Sequence, residues 1–294
     1  MPAPRPAYER NSLLKSRRKL LTWMLLALFL LPVLFTSVWC WRQAMQQRLD
    51  HALIEAIKRN DTPRAIALLD RGADANATDK PYQAITLRRL LDDFWNRLKG
   101  KTPGKEEEQP ETALLMTTCG VWEGNRGTDL PYNPELVRAL LEHGANIHLK
   151  DCLGHLPLHC ASIDQRTATV QLLLERGADV NEKDDRGATP LMYACRTFTG
   201  KDLSCIRRLV EHGADVNVTD NDGQTALTGC VYMEEPSDPD HVLYLLEHGA
   251  KVSIKDIAGH TAVDYSHGRL ASLLKKALRK EQAELISASR TAIK

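Results

Sequence analysis

Residues 176–191 run RGADVNEKDDRGATPL, and this stretch contains the signals that decide the fold. Gly177 follows an apolar segment and can take the left-handed conformation that ends a helix. The Asp, Asn and Gly residues after it favour a tight turn. Thr189 can then cap a new helix by accepting a hydrogen bond from a free amide, and Pro190 suits the first turn of that helix. The stretch therefore predicts a helix end, a projecting turn and the start of another helix.

Similar strings recur along the chain, beginning at residues 71, 143, 176, 212 and 248. The glycines of the last four strings, from Gly144 to Gly249, are 33, 36 and 36 residues apart. An apolar segment such as 170–174 precedes the string. An Arg or His stands before each glycine, where a cation suits the negative end of a helix. Self-similarity at this period indicates a stack of equivalent supersecondary units.

These residues resemble the ankyrin repeat. The segment LPLHCA at 156–161 and the triplet TPL at 189–191 match its Thr-Pro-Leu-His-x-Ala core, and the Gly-Ala-Asp-Val-Asn strings match its helix end and loop. The resemblance covers about residues 47–280. It implies an all-α solenoid of stacked helix-turn-helix units with β-hairpin-like fingers, and a domain that binds proteins and has no intrinsic chemistry. One unit cannot bury its apolar face alone, so neighbouring units share a continuous core.

The resemblance divides this region into about six units separated in one place by an insert. The units are 47–79, 111–150, 151–183, 184–219, 220–255 and 256–280, the insert is 80–110, and 281–294 is expected to be a C-terminal tail. Apolar residues at helical spacing predict a helix over 85–98. This helix either packs on the neighbouring stack or docks a partner, and both interpretations stay open.

Residues 20–41 carry no charge, and as a helix these 22 residues would span about 33 Å, the thickness of a bilayer core. Trp23 lies near one end, and Trp39 and Trp41 lie near the other, as expected for interfacial indole rings. The apolar run is longer than the core of a cleaved signal peptide, and no small-x-small site follows it. We therefore predict one N-terminal transmembrane helix over 20–41, preceded by a short basic tail, 1–19.

Basic residues are more frequent before the predicted span than after it. Six Lys or Arg residues precede it, whereas two lie within the next fifteen residues. The positive-inside rule then predicts a single-pass protein with its repeats outside the cytoplasm, in the periplasm of a bacterial inner membrane. Asn76 and Asn217 begin glycosylation sequons at a repeat position tied into loop hydrogen bonds, which favours bacterial export over a eukaryotic lumen. The alternative is a cytoplasm-facing membrane adaptor or signalling element with the same fold.

Composition excludes several classes of function. The net charge of +1, from 39 basic and 38 acidic residues, excludes a generally basic nucleic-acid binder and a strongly acidic disordered chain. Aromatic residues make up 5%, too few for a base-stacking platform. The chain has neither a phosphate-binding loop nor a nucleophile motif. We therefore predict no enzymatic activity, no cofactor, no metal, no small-molecule substrate and no nucleic-acid partner.

The densest group of metal-ligating residue types consists of Cys152, His155, His159 and Cys160. Their spacing is not a recurring zinc pattern, and His159 occupies the histidine position of the repeat itself. A zinc- or thiol-dependent enzyme is therefore the less favoured alternative. A disulfide between Cys195 and Cys205, within the fourth unit, stays open because cysteine also fills small spaces in a core.

A protein partner of unknown identity is expected to bind the concave face, which consists of finger tips and first-helix surfaces. Side chains there can change without disturbing the core. By alignment to the repeat, the candidate partner-binding residues are Leu153, His155, Asp164, Asp185, Arg186, Tyr193, Arg196, Asn221, Asp222, Gln224, Tyr232, Met233, Ile257 and His260.

Overall fold

Helices and turns make up the described part of the computed structural model, which comprises residues 34–79, 112–118, 133–151, 153–196, 202–232 and 239–292. An isolated bridge between Thr78 and Thr112 is the only strand-like pairing within these ranges. The predicted all-α class is therefore confirmed for them. The chain forms two compact units: the first comprises 1–49 and 82–103, of which 34–49 are described, and the second comprises 50–81 and 104–294.

Eleven helices are numbered here in chain order over the described residues. They are α1 (34–58), α2 (Thr62–Asp70), α3 (Ala113–Thr118), α4 (Pro134–Glu142), α5 (Pro157–Ile163), α6 (Thr167–Glu175), α7 (Pro190–Arg196), α8 (Ser204–Glu211), α9 (Ala226–Tyr232), α10 (Asp240–Glu247) and α11 (Gly268–Ala292).

Within the second unit, short inner helices and longer outer helices alternate as the repeat predicts. The inner helices α3, α5, α7 and α9 pack on one another in that order, and each also packs on the outer helix that follows it. One outer-helix position is a leucine with no exposed surface in four successive repeats: Leu140, Leu173, Leu209 and Leu245. The predicted stacking of helix pairs around a shared core is confirmed.

The outer helices end as the sequence predicts. Gly177 has a φ of +86°, and the N–H of the following Ala178 donates to the Leu173 carbonyl at 3.0 Å. This arrangement satisfies a carbonyl that the end of the helix would leave without a partner. The histidine before the glycine adds a second bond in other repeats, since His212 Nδ1 lies 2.8 Å from the Arg208 carbonyl.

The inner helices begin with threonine caps in two places. The N–H of Thr228 donates to Thr225 Oγ1 at 3.3 Å, and that of Leu115 donates to Thr112 Oγ1 at 3.4 Å. The cap predicted at Thr189 is not observed in this form. Its own N–H instead contacts Met192 Sδ at 3.4 Å. Methionine occupies the place where Thr228 and Leu115 stand, and its long side chain folds back over the helix start.

The N-terminal segment differs in part from the prediction. Residues 34–58 are helical throughout, so no break in the helix separates the predicted span, which ends at 41, from the first repeat unit, which begins at 47. Residues 20–33 of the predicted span lie outside the described residues. No helix within the described ranges is both long enough and apolar enough to cross a membrane. The insert 80–110 also lies outside them.

The C-terminal segment forms one long helix. Helix α11 continues to Ala292, so most of the predicted tail, 281–294, is helical. Glu281 anchors it, because its Oε2 accepts the N–H of Val252 at 3.0 Å and that of Ser253 at 3.3 Å. In the two preceding repeats an aspartate two residues earlier accepts the N–H equivalent to that of Ser253, as Asp215 does for Asn217, but Lys251 stands at that position in the last repeat. Glu281 supplies the charged acceptor instead. Helix-favouring residues, the Gln, Ala, Glu and Leu of 282–285, then extend the helix.

Candidate partner-binding surface

Four turns project from the inner-helix side of the second unit, and we call them the fingers: 151–155, 184–188, 220–224 and 256–260. In each finger the first residue is an aspartate whose N–H donates to the carbonyl four residues later at 2.9 to 3.0 Å. Its Oδ1 accepts the N–H groups of the residues two and four positions later at 2.8 to 3.0 Å. The fingers are therefore closed by their own backbone and are preorganised.

The second carboxylate oxygen of each finger aspartate binds a side chain. Tyr193 Oη donates to Asp184 Oδ2 at 2.6 Å, and it also lies 3.0 Å from His155 Nε2. His155 Nδ1 in turn lies 3.1 Å from Asp151 Oδ2. This chain of polar groups joins the finger of the third repeat to that of the fourth. The equivalent Tyr265 donates to Asp256 in the last finger.

The network shifts the pKa values of its members. Burial raises the pKa of Tyr193, and the hydrogen bond to Asp184 raises it further. Burial alone would raise the pKa of Asp151, but hydrogen bonds from the His155 ring and backbone outweigh it, so the pKa is lowered. Both shifts keep the tyrosine protonated and the aspartate charged at neutral pH, which are the forms that this network requires.

In the finger of the fifth repeat, the second carboxylate oxygen of the aspartate binds an arginine and not a tyrosine or histidine. Arg196 donates to Asp220 Oδ2 at 2.6 Å and to Gln224 Oε1 at 3.1 Å. Gly229 stands where the neighbouring repeats have Tyr193 and Tyr265, and a Cβ there would lie 3.0 Å from Arg196 Cγ. The glycine therefore makes room for the arginine. Sequence reasoning missed Gly229, although its departure from the aligned tyrosines was a usable signal.

Adjacent fingers are bonded tip to tip. The N–H of Asn221 donates to the Arg186 carbonyl at 2.9 Å, and that of Ile257 donates to the Asp222 carbonyl at 3.0 Å. Asn221 Nδ2 also donates to the Asp185 carbonyl at 3.2 Å. The tips of the last three fingers therefore form one continuous row, which none of the local sequence signals predicted.

The candidate residues fall into two groups. The side chains at the tips are exposed, with 48% of Leu153 and 78% of Ile257 accessible to solvent. The other exposed candidates are Asp185, Arg186, Asn221, Asp222 and His260. The partly buried candidates take part in contacts within the protein: His155, Asp164, Tyr193, Arg196 and Gln224. Met233 and the side chain of Tyr232 lie outside the described residues.

Residues that the sequence offers as metal ligands make other interactions in the structure. Cys160 is disulfide-bonded, and the second cysteine of that bond is not among the described residues. His159 Nδ1 accepts the N–H of Leu156 at 3.3 Å, and its Nε2 lies 3.1 Å from the Ala188 carbonyl. No group of three or more His, Cys, Asp or Glu residues in the described part of the chain could hold a metal ion. Cys152 lies outside that part.

The cysteine pair left open by the sequence is not bonded. Cys195 and Cys205 are free thiols, and both are buried. Burial raises the pKa of Cys195 well above its usual value and raises that of Cys205 to about 12. Both groups are therefore protonated core residues at neutral pH, and they are poor nucleophiles.

Both sequon asparagines are engaged in the loop contacts that the sequence predicted. Asn217 Nδ2 donates to the Gly249 carbonyl at 2.9 Å, and its Oδ1 accepts the N–H of Lys251 at 2.8 Å. Asn76 Nδ2 similarly donates to the Gly144 carbonyl at 3.2 Å. A glycan on either amide would break a contact between successive repeats.

We expect Tyr193→Phe to lower the free energy of unfolding by about 2 kcal/mol, because it removes a hydrogen bond to the charged, fully buried carboxylate of Asp184. Chemical denaturation of the purified protein measures the change. Tyr244→Phe is the control, because it removes the same hydroxyl group from a tyrosine whose ring packs against His248. Equal effects of the two substitutions would show that the Asp184 bond contributes nothing.

A comparison with known families agrees with the geometry. The family model "Ankyrin repeats (3 copies)" matches residues 97–184, 126–220 and 181–256, which together cover more than half of the chain. No curated protein matches the chain.

Proposed function

The chain belongs to the ankyrin-repeat family, and from this premise we propose that it is a non-enzymatic scaffold, tethered to a membrane by one N-terminal span. Its repeats form a protein–protein interaction domain. The family is typically non-enzymatic, and the stacked units serve to present a surface. The preorganised row of fingers is the observation that carries the proposal.

The finger tips have the features of a binding surface. Leu153 and Ile257 are large apolar side chains that project into solvent on closed turns. Charged and amide groups at Asp185, Arg186 and Asn221 are exposed on the two fingers that lie between them in the chain. Because the backbone of the fingers is already ordered by hydrogen bonds, little conformational entropy remains to be lost when a partner binds. Apolar anchors within a polar surround are typical of interface hot spots.

We expect the double variant Leu153→Asp, Ile257→Asp to reduce partner capture at least ~10-fold, because it puts charges on the two apolar anchors. The measurement is crosslinking of the membrane-embedded protein in its own cell, followed by quantification of the captured protein. Ile286→Asp is the matched control, since Ile286 is also exposed, by 56%, but belongs to α11 and not to a finger. Undiminished capture by the double variant would remove the finger tips as the binding surface.

Membrane attachment is supported by exposed apolar side chains at the start of α1, which directly follows the uncharged residues 20–33 in the sequence. Five large apolar side chains within 34–41 are exposed, by 48% to 74%: Leu34, Phe35, Val38, Trp39 and Trp41. Exposing these apolar side chains to water is unfavourable, whereas a bilayer and its interface would bury them. They adjoin the uncharged residues 20–33, which supply the rest of a span of about 30 Å.

The proposed location of the repeats is the non-cytoplasmic side of the membrane. The excess of basic residues before the span supports this orientation. The Cys160 disulfide supports it independently, because disulfides persist in oxidising compartments and are rare in the cytosol. A reporter enzyme that is active only outside the cytoplasm, fused after residue 294, should be active. Activity of a cytoplasm-only reporter would instead support a cytoplasm-facing adaptor.

A further inference from the structure

We propose that Cys195 and Cys230 are a thiol–disulfide pair, which a disulfide oxidant such as oxidised glutathione converts into a covalent bond between the fourth and fifth repeats. Cys195 lies on the inner helix α7 and is buried, whereas Cys230 lies on the next inner helix, α9, and is half-buried. Both are free thiols in the structure. The local sequence signals do not indicate this pair, because its members belong to different repeats.

The two thiols are in contact. The side chain of Cys195 is hydrogen-bonded to that of Cys230. Helices α7 and α9 pack on each other, and a Cβ built on Gly229 would lie 3.0 Å from Arg196 Cγ and 3.6 Å from the Met192 carbonyl oxygen. Cys195 shares a face of α7 with Met192, since three residues separate them, and Cys230 directly follows Gly229. The close approach of the two helices therefore includes both cysteines.

The repeat places small side chains at these two positions in successive inner helices. The equivalents of Cys195 and Cys230 are Ser162 and Ala194 one repeat earlier, and Thr118 and Ala161 two repeats earlier. All four are buried. Small side chains here let the helix backbones come close, which a disulfide also requires. Between α7 and α9 both small side chains are thiols, so a position that elsewhere serves packing can form a bond.

A third thiol, that of Cys205, is directed elsewhere. Cys205 lies on the outer helix α8, and its side chain is hydrogen-bonded to that of Ser162 in the preceding repeat. Ser162 Oγ donates its own proton to the Leu158 carbonyl at 2.7 Å, so it accepts a proton from the thiol. The geometry therefore favours a bond from Cys195 to Cys230 over a bond within the fourth repeat.

The half-buried Cys230 is the sulfur that meets the oxidant first. Its thiolate attacks one sulfur of oxidised glutathione, so that one glutathione leaves and a mixed disulfide forms on Cys230. The Cys195 thiolate then attacks the Cys230 sulfur and expels the second glutathione, and the two protons lost by the cysteines end on the two glutathione thiols. Burial raises the pKa of Cys195, so the second step is the slower one.

The pair adjoins contacts that hold the fifth finger. Arg196 follows Cys195 and donates to Asp220 Oδ2 at 2.6 Å, and Gly229, which makes room for this arginine, precedes Cys230. A disulfide brings the two sulfur atoms to about 2 Å and so fixes α9 against α7 beside this contact. Oxidation therefore ties the fourth and fifth fingers together. This property does not depend on the partner or on the membrane topology, so it can fail independently of the proposed function.

The test maps the bond in the full chain, purified in detergent, reduced, and then incubated under native conditions with excess oxidised glutathione. Free thiols are blocked with N-ethylmaleimide in urea before digestion with trypsin. The three cysteines then lie on separate peptides, which are 187–196 for Cys195, 202–207 for Cys205 and 209–251 for Cys230. We expect the first and third peptides to be joined, the link to be lost on reduction, and Cys205 to carry maleimide.

Two variants assign the sulfurs. Cys205→Ser is the matched control and should keep the link, whereas Cys195→Ala should abolish it and leave Cys230 carrying maleimide or glutathione. Wild-type chains in which Cys195 is bonded to Cys205, or in which peptides 187–196 and 209–251 stay unlinked, would overturn the proposal. A link that forms in urea but not under native conditions would also overturn it. The wild-type map alone decides, so a variant that fails to fold does not weaken the test.

Discussion

Gly223→Ala should lower the free energy of unfolding by about 3 kcal/mol. Gly223 has a φ of +79°, which costs an L-residue roughly 1–2 kcal/mol. A Cβ there would also lie 2.9 Å from Asp256 Cα and 3.1 Å from the Ile257 amide nitrogen. Both are backbone atoms of the next finger, so relief requires the finger to shift, at roughly 1–3 kcal/mol. The midpoint of chemical denaturation measures the loss.

Gly213→Ala is the matched control. Gly213 has a φ of +89°, close to that of Gly223, but a Cβ on it would meet nothing within 4 Å. We therefore expect only the conformational cost, about 1–2 kcal/mol. If the two substitutions cost the same, the close approach of the fingers would not contribute to stability. The expected difference also predicts weaker partner capture by Gly223→Ala, since the shifted finger includes Ile257.

Acidification from pH 7.5 to pH 4 should remove about 3 kcal/mol of stability through His159 alone. The side chain has no exposed surface, and its burial lowers its pKa to about 4. In the unfolded chain the pKa is about 6.5. Well above pH 6.5 the His159 imidazole is neutral in both the folded and the unfolded protein, so its full contribution to stability is present there. Between pH 6.5 and pH 4 the unfolded state binds a proton that the folded state does not, and stability falls.

The measurement is urea denaturation of the wild-type protein and of His159→Gln at pH 7.5 and pH 4. Glutamine can keep a polar contact with the Ala188 carbonyl but has no titrating group in this range. The variant should therefore lose about 3 kcal/mol less stability than the wild type on acidification. The carboxylates titrate in both proteins, so their effect on stability cancels in this difference. Equal losses in the two proteins would mean that folding does not lower the pKa of His159.

The sequence predicted the fold well where the signals are local. Gly177 ends a helix because the left-handed conformation and the bond from Ala178 to Leu173 need only a few neighbouring residues. The same reasoning failed at Thr189, where Met192 takes the place of the capping bond. The length of α11 has no purely local signal either, because the residue that anchors it, Glu281, accepts hydrogen bonds from a loop 28 residues earlier.

The candidate surface was predicted only in part. Leu153 and Ile257 are exposed, as finger tips on a turn must be. His155 and Arg196 were also assigned to partner binding, yet they bond to finger aspartates within the protein. The partner of Arg196 lies 24 residues away and comes within reach only when two repeats stack. The sequence of a single repeat therefore does not indicate the contact between Arg196 and Asp220.

The sequence by itself determined the repeat, its register and the closed form of each finger. Helix-ending glycines, capping residues and aspartate turns act over about five residues, so their physics is complete within one unit. Only the tertiary structure decided which side chains of the finger face remain free for a partner and which are already bonded. Some of those bonds, such as those from Arg196 to Asp220 and from His155 to Tyr193, join atoms of different repeats, and their distances depend on how closely the repeats pack.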